Sequence, residues 1–278
     1  GTGDLLARDY PSVRVLTTGR NLGFAGGVEV GLKDLDADYA VLLNNDATFE
    51  PDAVRLLVEH LDHPDNAAAG AATARILLTE PDGDGRVLVN STGNVLSPSG
   101  AAADRDWLLP ADDEHSPVDV FGFCGGAAAL RRTALEEVGT FDPDLFLYYE
   151  DTDLSWRMRA AGWSIHYVRA AVAHHQHAAS SDSTSPLFRF YNTRNSLLVL
   201  ARHAPWPVVV KSLIRQTLAV ARHALARSES RTLLTARVRA LGAFVRLFPR
   251  ALRHRRAAWE GCPTDRRTIY RSAVARRA

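Results

Sequence analysis

A chain of 278 residues with 46% hydrophobic and 23% charged side chains is long enough to bury a full core and too apolar to be disordered. Its two cysteines, Cys124 and Cys262, make no disulfide framework, and no run reaches the roughly 18 apolar residues of a membrane span. The net charge of +1 hides an asymmetry: residues 1–202 hold 16 Lys and Arg against 29 Asp and Glu, and residues 203–278 hold 17 against 3.

The chain opens on Gly1-Thr2-Gly3-Asp4 without a strand, as though it begins partway into a domain. Val13-Arg14-Val15-Leu16 reads as a short strand after Pro11. Gly23, Gly26 and Gly27 form a tight turn into a helix over 28–35. Tyr39-Ala40-Val41-Leu42-Leu43 has the continuous apolar character of a strand buried on both faces, and it stops at Asn44-Asn45-Asp46. Pro51 opens a helix whose apolar face is Val54, Leu57, Val58 and Leu61, and Pro64 ends it.

A further strand is expected near 68–78, and 80–116, rich in Gly, Asp, Ser and Pro, reads as hairpins and loops. A small-residue strand at 121–130 leads into Thr133 and Glu136, the capping box of a short helix closed by Gly139. A second helix over 151–162 turns Leu154, Met158 and Ala161 inward, and 163–173 alternates as a strand. From Phe188 the pattern is helical, broken at Pro205, Pro207, Pro249 and Pro263. The order predicts an α/β domain over 1–186 with a mainly parallel sheet, followed by a basic α-helical extension over 187–278.

Three clusters carry chemistry. Asp46 ends a strand, where open α/β sheets bind ligands and where a hard divalent cation finds oxygen; on spacing alone a plain turn is the better explanation of Asn-Asn-Asp. Glu150, Asp151 and Asp153 crowd a helix start, more acid than capping requires, so one of them is a candidate proton acceptor. His174, His175 and His177 follow a strand in a spacing that fits no common zinc pattern, and one of them could share a metal with Asp46.

In this order the segments Asn21–Gly27, Asn44-Asn45-Asp46, Phe123-Cys124-Gly125-Gly126-Ala127, Tyr149-Glu150-Asp151-Thr152-Asp153-Leu154, His174 and Phe190-Tyr191-Asn192-Thr193-Arg194-Asn195 resemble family 2 glycosyltransferases of the GT-A fold. The resemblance covers about residues 13–200 and is strongest to bacterial rhamnosyltransferase-like members. It implies inverting transfer from a nucleotide-diphosphate sugar to a glycan or polyprenyl-linked acceptor in cell-wall or surface polysaccharide assembly. It implies Asp151 as the base with Glu150 beside it, and Asp46 and His174 as ligands of Mg²⁺ or Mn²⁺. It places Asn21, Gly26, Gly27, Asn44, Asn45, Asp46, Gly125 and Gly126 on the donor side and Tyr149, Asp153 and Arg194 on the acceptor side. Glu29 departs from the Asn usual after the Gly-Gly turn. The family's first strand and nucleoside-binding segment would precede Gly1, leaving apolar surface exposed.

Rival readings are a non-catalytic binding domain and a metal-dependent nucleotidyltransferase or hydrolase on a similar sheet. The expected setting is cytoplasmic. Lys211, Arg215, Arg222 and Arg227 interleave with Leu213, Leu218, Val220 and Leu225, so the helical tail could lie on an anionic inner membrane face or pack as a plain helical layer. No nucleic-acid partner is expected.

Overall fold

The computed structural model describes residues 1–34, 36–176 and 185–274. The first elements are α1 (Thr2–Asp9), α2 (Gly23–Leu32), β1 (Tyr39–Leu43), β2 (Ala47–Phe49), α3 (Ala53–Asp62) and β3 (Ala69–Leu78). Three short strands follow, β4 (Val89–Ser91), β5 (Asn94–Leu96) and β6 (Ala102–Asp104), in the region expected to hold hairpins and loops, and β5 and β6 pair antiparallel. Then come β7 (Ala127–Arg131), α4 (Arg132–Val138), α5 (Glu150–Ala161) and β8 (Ser164–His175). Four helices complete the described chain: α6 (Pro186–His203), α7 (Trp206–Ala226), α8 (Arg231–Ala257) and α9 (Arg266–Ala273).

Among the described residues the main sheet runs β1-β7-β3-β8-β2, with β4 added beside β3. It is mixed rather than mainly parallel. Only β3 and β8 pair in parallel; β1–β7, β7–β3, β8–β2 and β3–β4 are antiparallel. β7 and β2 enter from loops and run against their neighbours, which the alternation of strands and helices along the chain does not reveal. β1 is packed on one face only, so Ala40 and Leu42 are buried while Val41 and Leu43 on the other face stay exposed, not the two-sided burial expected of it. Residues 13–16 pair with no described strand, and Val13, Val15 and Leu16 are exposed.

Alanines make the sheet thin enough for close layers. Ala71 faces one side with Leu130 and Ile165 against α4 and α5, whereas Ala72 and Ala74 face the other against Leu57 and Leu61 of α3. The helix α5 is buried on both flanks. Leu154 and Met158 join the sheet core, and Trp156 and Ala160 join a second core built from α6, α8 and α9. That second core also holds Leu96 and Phe121, and Val274 bridges to Leu96, so the C-terminal helices and the sheet share packing.

The helix ends follow elementary capping rules. Ser185, Ser230 and Asp265 accept backbone N–H groups at the starts of α6, α8 and α9, and Gly162 in the left-handed region (φ 99°) ends α5. The capping box expected at Thr133 does not form. α4 starts two residues earlier, with Arg131 at the N-cap position, and Arg132 pairs with Glu136 at 3.0 Å instead. None of the described helices is long and apolar enough to cross a membrane.

Candidate active site

β1 and β2 lie at opposite edges of the sheet, so residues 44–46 must cross its end. The crossing is tied down by Asn44 N–H donating to the Gly126 carbonyl (2.9 Å) and Gln176 N–H donating to the Asp46 carbonyl (2.9 Å). It holds the Asp46 carboxylate over the strand ends, 3.0 Å from Nε2 of His175, whose Nδ1 meets the Asn90 amide oxygen. His174 does not take that place. Its Nε2 lies 3.2 Å from Glu50, because successive residues of a strand point to opposite sides and His175 shares the side of Ala171 and Ala173. His177 lies outside the described residues.

Opposite this edge the chain enters α5 through a turn with three left-handed residues, Phe146 (φ 64°), Tyr148 (φ 68°) and Tyr149 (φ 73°). Each costs on the order of 1–3 kcal/mol in a non-glycine residue and persists only where its surroundings enforce it. Here the enforcement is visible. Asn195 Nδ2 donates to the carbonyls of Leu145 (2.8 Å), Leu147 (2.9 Å) and Tyr148 (2.8 Å). Arg194 donates to those of Asp144 (2.7 Å) and Leu145 (2.9 Å) while its guanidinium lies over the Tyr191 ring. Phe146 stacks on Tyr191 with centroids 4.9 Å apart.

The same turn anchors the glycine-rich segment. Phe146 carbonyl accepts the Ala25 N–H (3.1 Å), and a Cβ on Gly23 would sit 2.2 Å from that oxygen. With its φ of 69°, Gly23 is therefore required both for conformation and for close approach. The expected loop at 23–27 is in fact the first turn of α2, with Asn21 accepting the Gly23 N–H (2.8 Å).

Between the crossing and the turn lies a cavity of about 520 Å³. Asn44, Asn45, Asp46 and His175 line one side, Gly125 and Gly126 the floor, and Tyr149, Glu150 and Asp151 the other. Asp151 is partly exposed there. Its Oδ2 accepts the Gly125 N–H (3.1 Å), and its Oδ1 accepts the Thr152 N–H (2.6 Å), which fixes the carboxylate toward the cavity. Glu150 is buried, with one carboxyl oxygen lacking any partner, and burial beside Asp151 raises its pKa to about 8. Near neutral pH, burial and the neighbouring Asp151 therefore favour the protonated form of Glu150.

Because Glu150 binds its proton more tightly folded than unfolded, its contribution to stability is fully present below about pH 4.5. It is lost as pH rises toward 8. Glu150→Gln is expected to remove that decline, which thermal melts of both proteins between pH 5 and 8 will show as a flatter profile.

Several expected site residues stand elsewhere. Asp153 is not on an acceptor surface. It is buried with Arg157 (3.0 Å), Arg202 (3.0 Å) and His203 (2.9 Å). Arg194 is likewise buried and serves the turn. Asn21, Gly26 and Gly27 do not line the cavity; of their segment Phe24 does. His175 was one of three candidate histidines, with the metal place given to His174; Asn90 and Asp104 were not singled out from the sequence. Asp104, on β6, lines the cavity with a pKa raised to about 6 by burial and by the Asp151 charge. The small residues Ala171 and Ala173 carried the signal for His175, but the apolar Val172 between them concealed the alternation.

Residues 4–190 match the family model described as "Glycosyltransferase like family 2". The chain belongs to that family. It is 27% identical over 259 residues to N-acetylglucosaminyl-diphospho-decaprenol L-rhamnosyltransferase of Mycobacterium tuberculosis, covering 83% of this chain and 81% of that protein. A shorter stretch of 55 residues is 42% identical to a cellulose synthase catalytic subunit of Komagataeibacter xylinus, covering 20% of this chain and 7% of that one. Among solved structures, GalNAc-T7 with UDP, GalNAc and Mn²⁺ superposes with a TM-score of 0.53 at 14% identity. That likeness covers 73% of this chain and 38% of the other, and it speaks to the fold. The family 2 protein is a glycosyltransferase with the mixed α/β architecture of the GT-A class.

Proposed function

We propose that this family 2 enzyme transfers a sugar, with inversion, from a nucleotide-diphosphate donor to a hydroxyl of a glycan or polyprenyl-linked acceptor in bacterial cell-wall or surface polysaccharide synthesis. Rhamnose is the proposed sugar, by analogy with the M. tuberculosis relative. The observation that carries the reading is one cavity with Asp46 and His175 on one side and a hydrogen-bonded Asp151 on the other.

In this reading Asp151 Oδ2 takes the proton of the acceptor hydroxyl as its oxygen bonds to the anomeric carbon. The bond from that carbon to the diphosphate breaks on the opposite face, which inverts the centre. Protonated Glu150 leaves Asp151 as the local proton acceptor, and the strained turn clamped by Asn195 keeps both carboxyls at the cavity wall.

A divalent cation, Mg²⁺ or Mn²⁺, fits the Asp46 edge. Nδ1 of His175 meets the Asn90 oxygen and its Nε2 faces the Asp46 carboxylate, so an imidazole nitrogen and a carboxylate oxygen stand side by side, a pair of ligand atoms suited to a cation. No group of three or more His, Cys, Asp or Glu side chains arranged for a metal occurs among the described residues. The remaining positions would fall to water and diphosphate oxygens, as is usual for Mg²⁺. Such an ion, when bound, supplies positive charge against the departing diphosphate. Domain limits of 1–186 and 187–278 are proposed with this reading.

Calorimetric titration with UDP and with dTDP, each with and without Mn²⁺, tests it. Metal-dependent binding is expected, weakened about tenfold or more in Asp46→Ala and His175→Ala and retained in His174→Ala. A folded chain that binds neither nucleotide would overturn the reading.

A further inference from the structure

A second cavity, of about 440 Å³, opens where the start of α7 meets the link between α8 and α9. It shares no lining residue with the catalytic cavity, and its walls carry Arg255, Arg266, Trp206 and Trp259. Arg255 is only 8% exposed. Its Nη1 donates to the carbonyls of Ala201 (2.9 Å) and Ala204 (2.8 Å) at the end of α6, and its guanidinium lies 4.5 Å from the Trp206 ring centre. Arg266 is held in the same manner. Its Nη2 donates to the Arg255 carbonyl (3.1 Å), its guanidinium lies 4.4 Å from the Trp259 ring centre, and its buried Nε has no partner.

Two positive charges are thus fixed beside one cavity with no acid against them. Among the described residues no carboxylate forms an ion pair with Arg255 or Arg266. Burial, with the Arg266 charge added, lowers the Arg255 pKa to about 10. Asp265, the acid on the cavity wall, is committed elsewhere: its oxygens accept the N–H groups of Arg267 (2.9 Å) and Thr268 (3.0 Å) at the start of α9. A buried charge is costly unless it is paired, and an anion in the cavity would pair both guanidiniums at once.

We infer that this cavity binds the phosphate group of a small phosphate monoester between Arg255 and Arg266. The planar fork of a guanidinium matches phosphate oxygens, and both forks are already oriented by backbone carbonyls and indole faces, so little ordering remains for binding to supply. The cavity falls in the size range of small-molecule sites, which leaves room for the body that carries the phosphate. Trp206, 45% exposed, flanks that space. The site does not depend on the glycosyl-transfer reading, since none of its residues enters the catalytic cavity.

The intact protein is titrated with glucose 1-phosphate at constant ionic strength, read by tryptophan fluorescence, because Trp206 and Trp259 line the cavity. Arg266→Gln and Arg255→Lys are measured beside it, with Arg256→Gln, exposed on α8 and off the cavity wall, as the control. Saturable binding is expected in the wild type and the control, about tenfold weaker in the other two variants. Inorganic phosphate should displace the probe, and glucose should not bind. The melting temperature of the wild type should rise with the probe, and that of Arg266→Gln should rise less. Arg266 is only partly buried, so its variant keeps the test decisive if loss of the Arg255 anchor unfolds the chain.

Unchanged affinity in Arg266→Gln would overturn the proposal. So would glucose binding as tightly as its phosphate, which marks a plain sugar site. A response to phosphatidylglycerol vesicles with none to either soluble phosphate would also overturn it and mark a lipid-headgroup site.

Discussion

Asp151→Asn is expected to lower sugar transfer by about 10²- to 10⁴-fold, the usual worth of a positioned general base. Asparagine matches the shape of aspartate, and its amide oxygen can still accept the Gly125 N–H, so the turn and the cavity wall should survive. What it cannot do is take a proton. Nucleotide binding at the Asp46 edge should therefore be unchanged, and the loss should fall on kcat. Steady-state kinetics with a labelled nucleotide sugar, paired with calorimetry on the same variant, separates the two quantities. Turnover near that of the wild type would exclude Asp151 as the base and direct attention to Asp104, which faces the same cavity.

Arg202→Met is expected to cost about 3–5 kcal/mol of stability, because it strips a buried carboxylate of its main counter-charge. Arg202 spans Asp153 (3.0 Å) and Asp142 (2.7 Å), and all three side chains are buried or nearly so. The cluster is otherwise well matched. Burial opposes the charge on Asp153, but Arg202, Arg157 and His203 together hold its carboxyl well below the usual range. His203 Nδ1 accepts from Trp259 and its Nε2 faces Asp153, so the ring is held neutral and its pKa is lowered by burial.

Both shifts have the same sign. Lowered folded pKa values mean that the unfolded chain binds more protons, so stability is present at neutral pH and falls as acid is added. His203 contributes this decline below about pH 6.5, and Asp153 adds to it only below the ordinary carboxylate range. Chemical denaturation of wild type and variant at pH 7 measures the cost. An unchanged midpoint and slope would return Asp153 to the acceptor side.

Local signals in the chain were sufficient for the longer elements, though not for the short strands β2, β4, β5 and β6 or for residues 13–16, which form no strand. The apolar run at 39–43, the Pro51 helix start, the Gly139 and Gly162 stops and the long basic helices all depend on residues within a few positions of one another. Strand direction was not of that kind. Whether β7 runs with or against β3 is decided by where the chain re-enters the sheet, and no residue of Ala127–Arg131 encodes it.

The site divided along the same line. Asp46, Glu150 and Asp151 were legible because a polar break after a buried strand, or an excess of acid at a helix start, is itself unusual. His174 and His175 were not separable, since side-chain parity in a strand needs a known partner, here Ala47 and Thr48 of β2. Asp153 and Arg194 sit in segments that resemble the family's catalytic motifs, yet burial makes one an ion-cluster anchor and the other a clamp.

By itself the sequence determined most of the alternation of strands and helices and three of the carboxylates that line the cavity, Asp46, Glu150 and Asp151, because these follow from short-range pattern, and its ordered motifs carried the resemblance to the family. Only the tertiary structure decided which histidine meets Asp46 and that Asn195 holds a strained turn. Those are contacts between residues up to 129 positions apart, and they exist only once the sheet has brought its strand ends together.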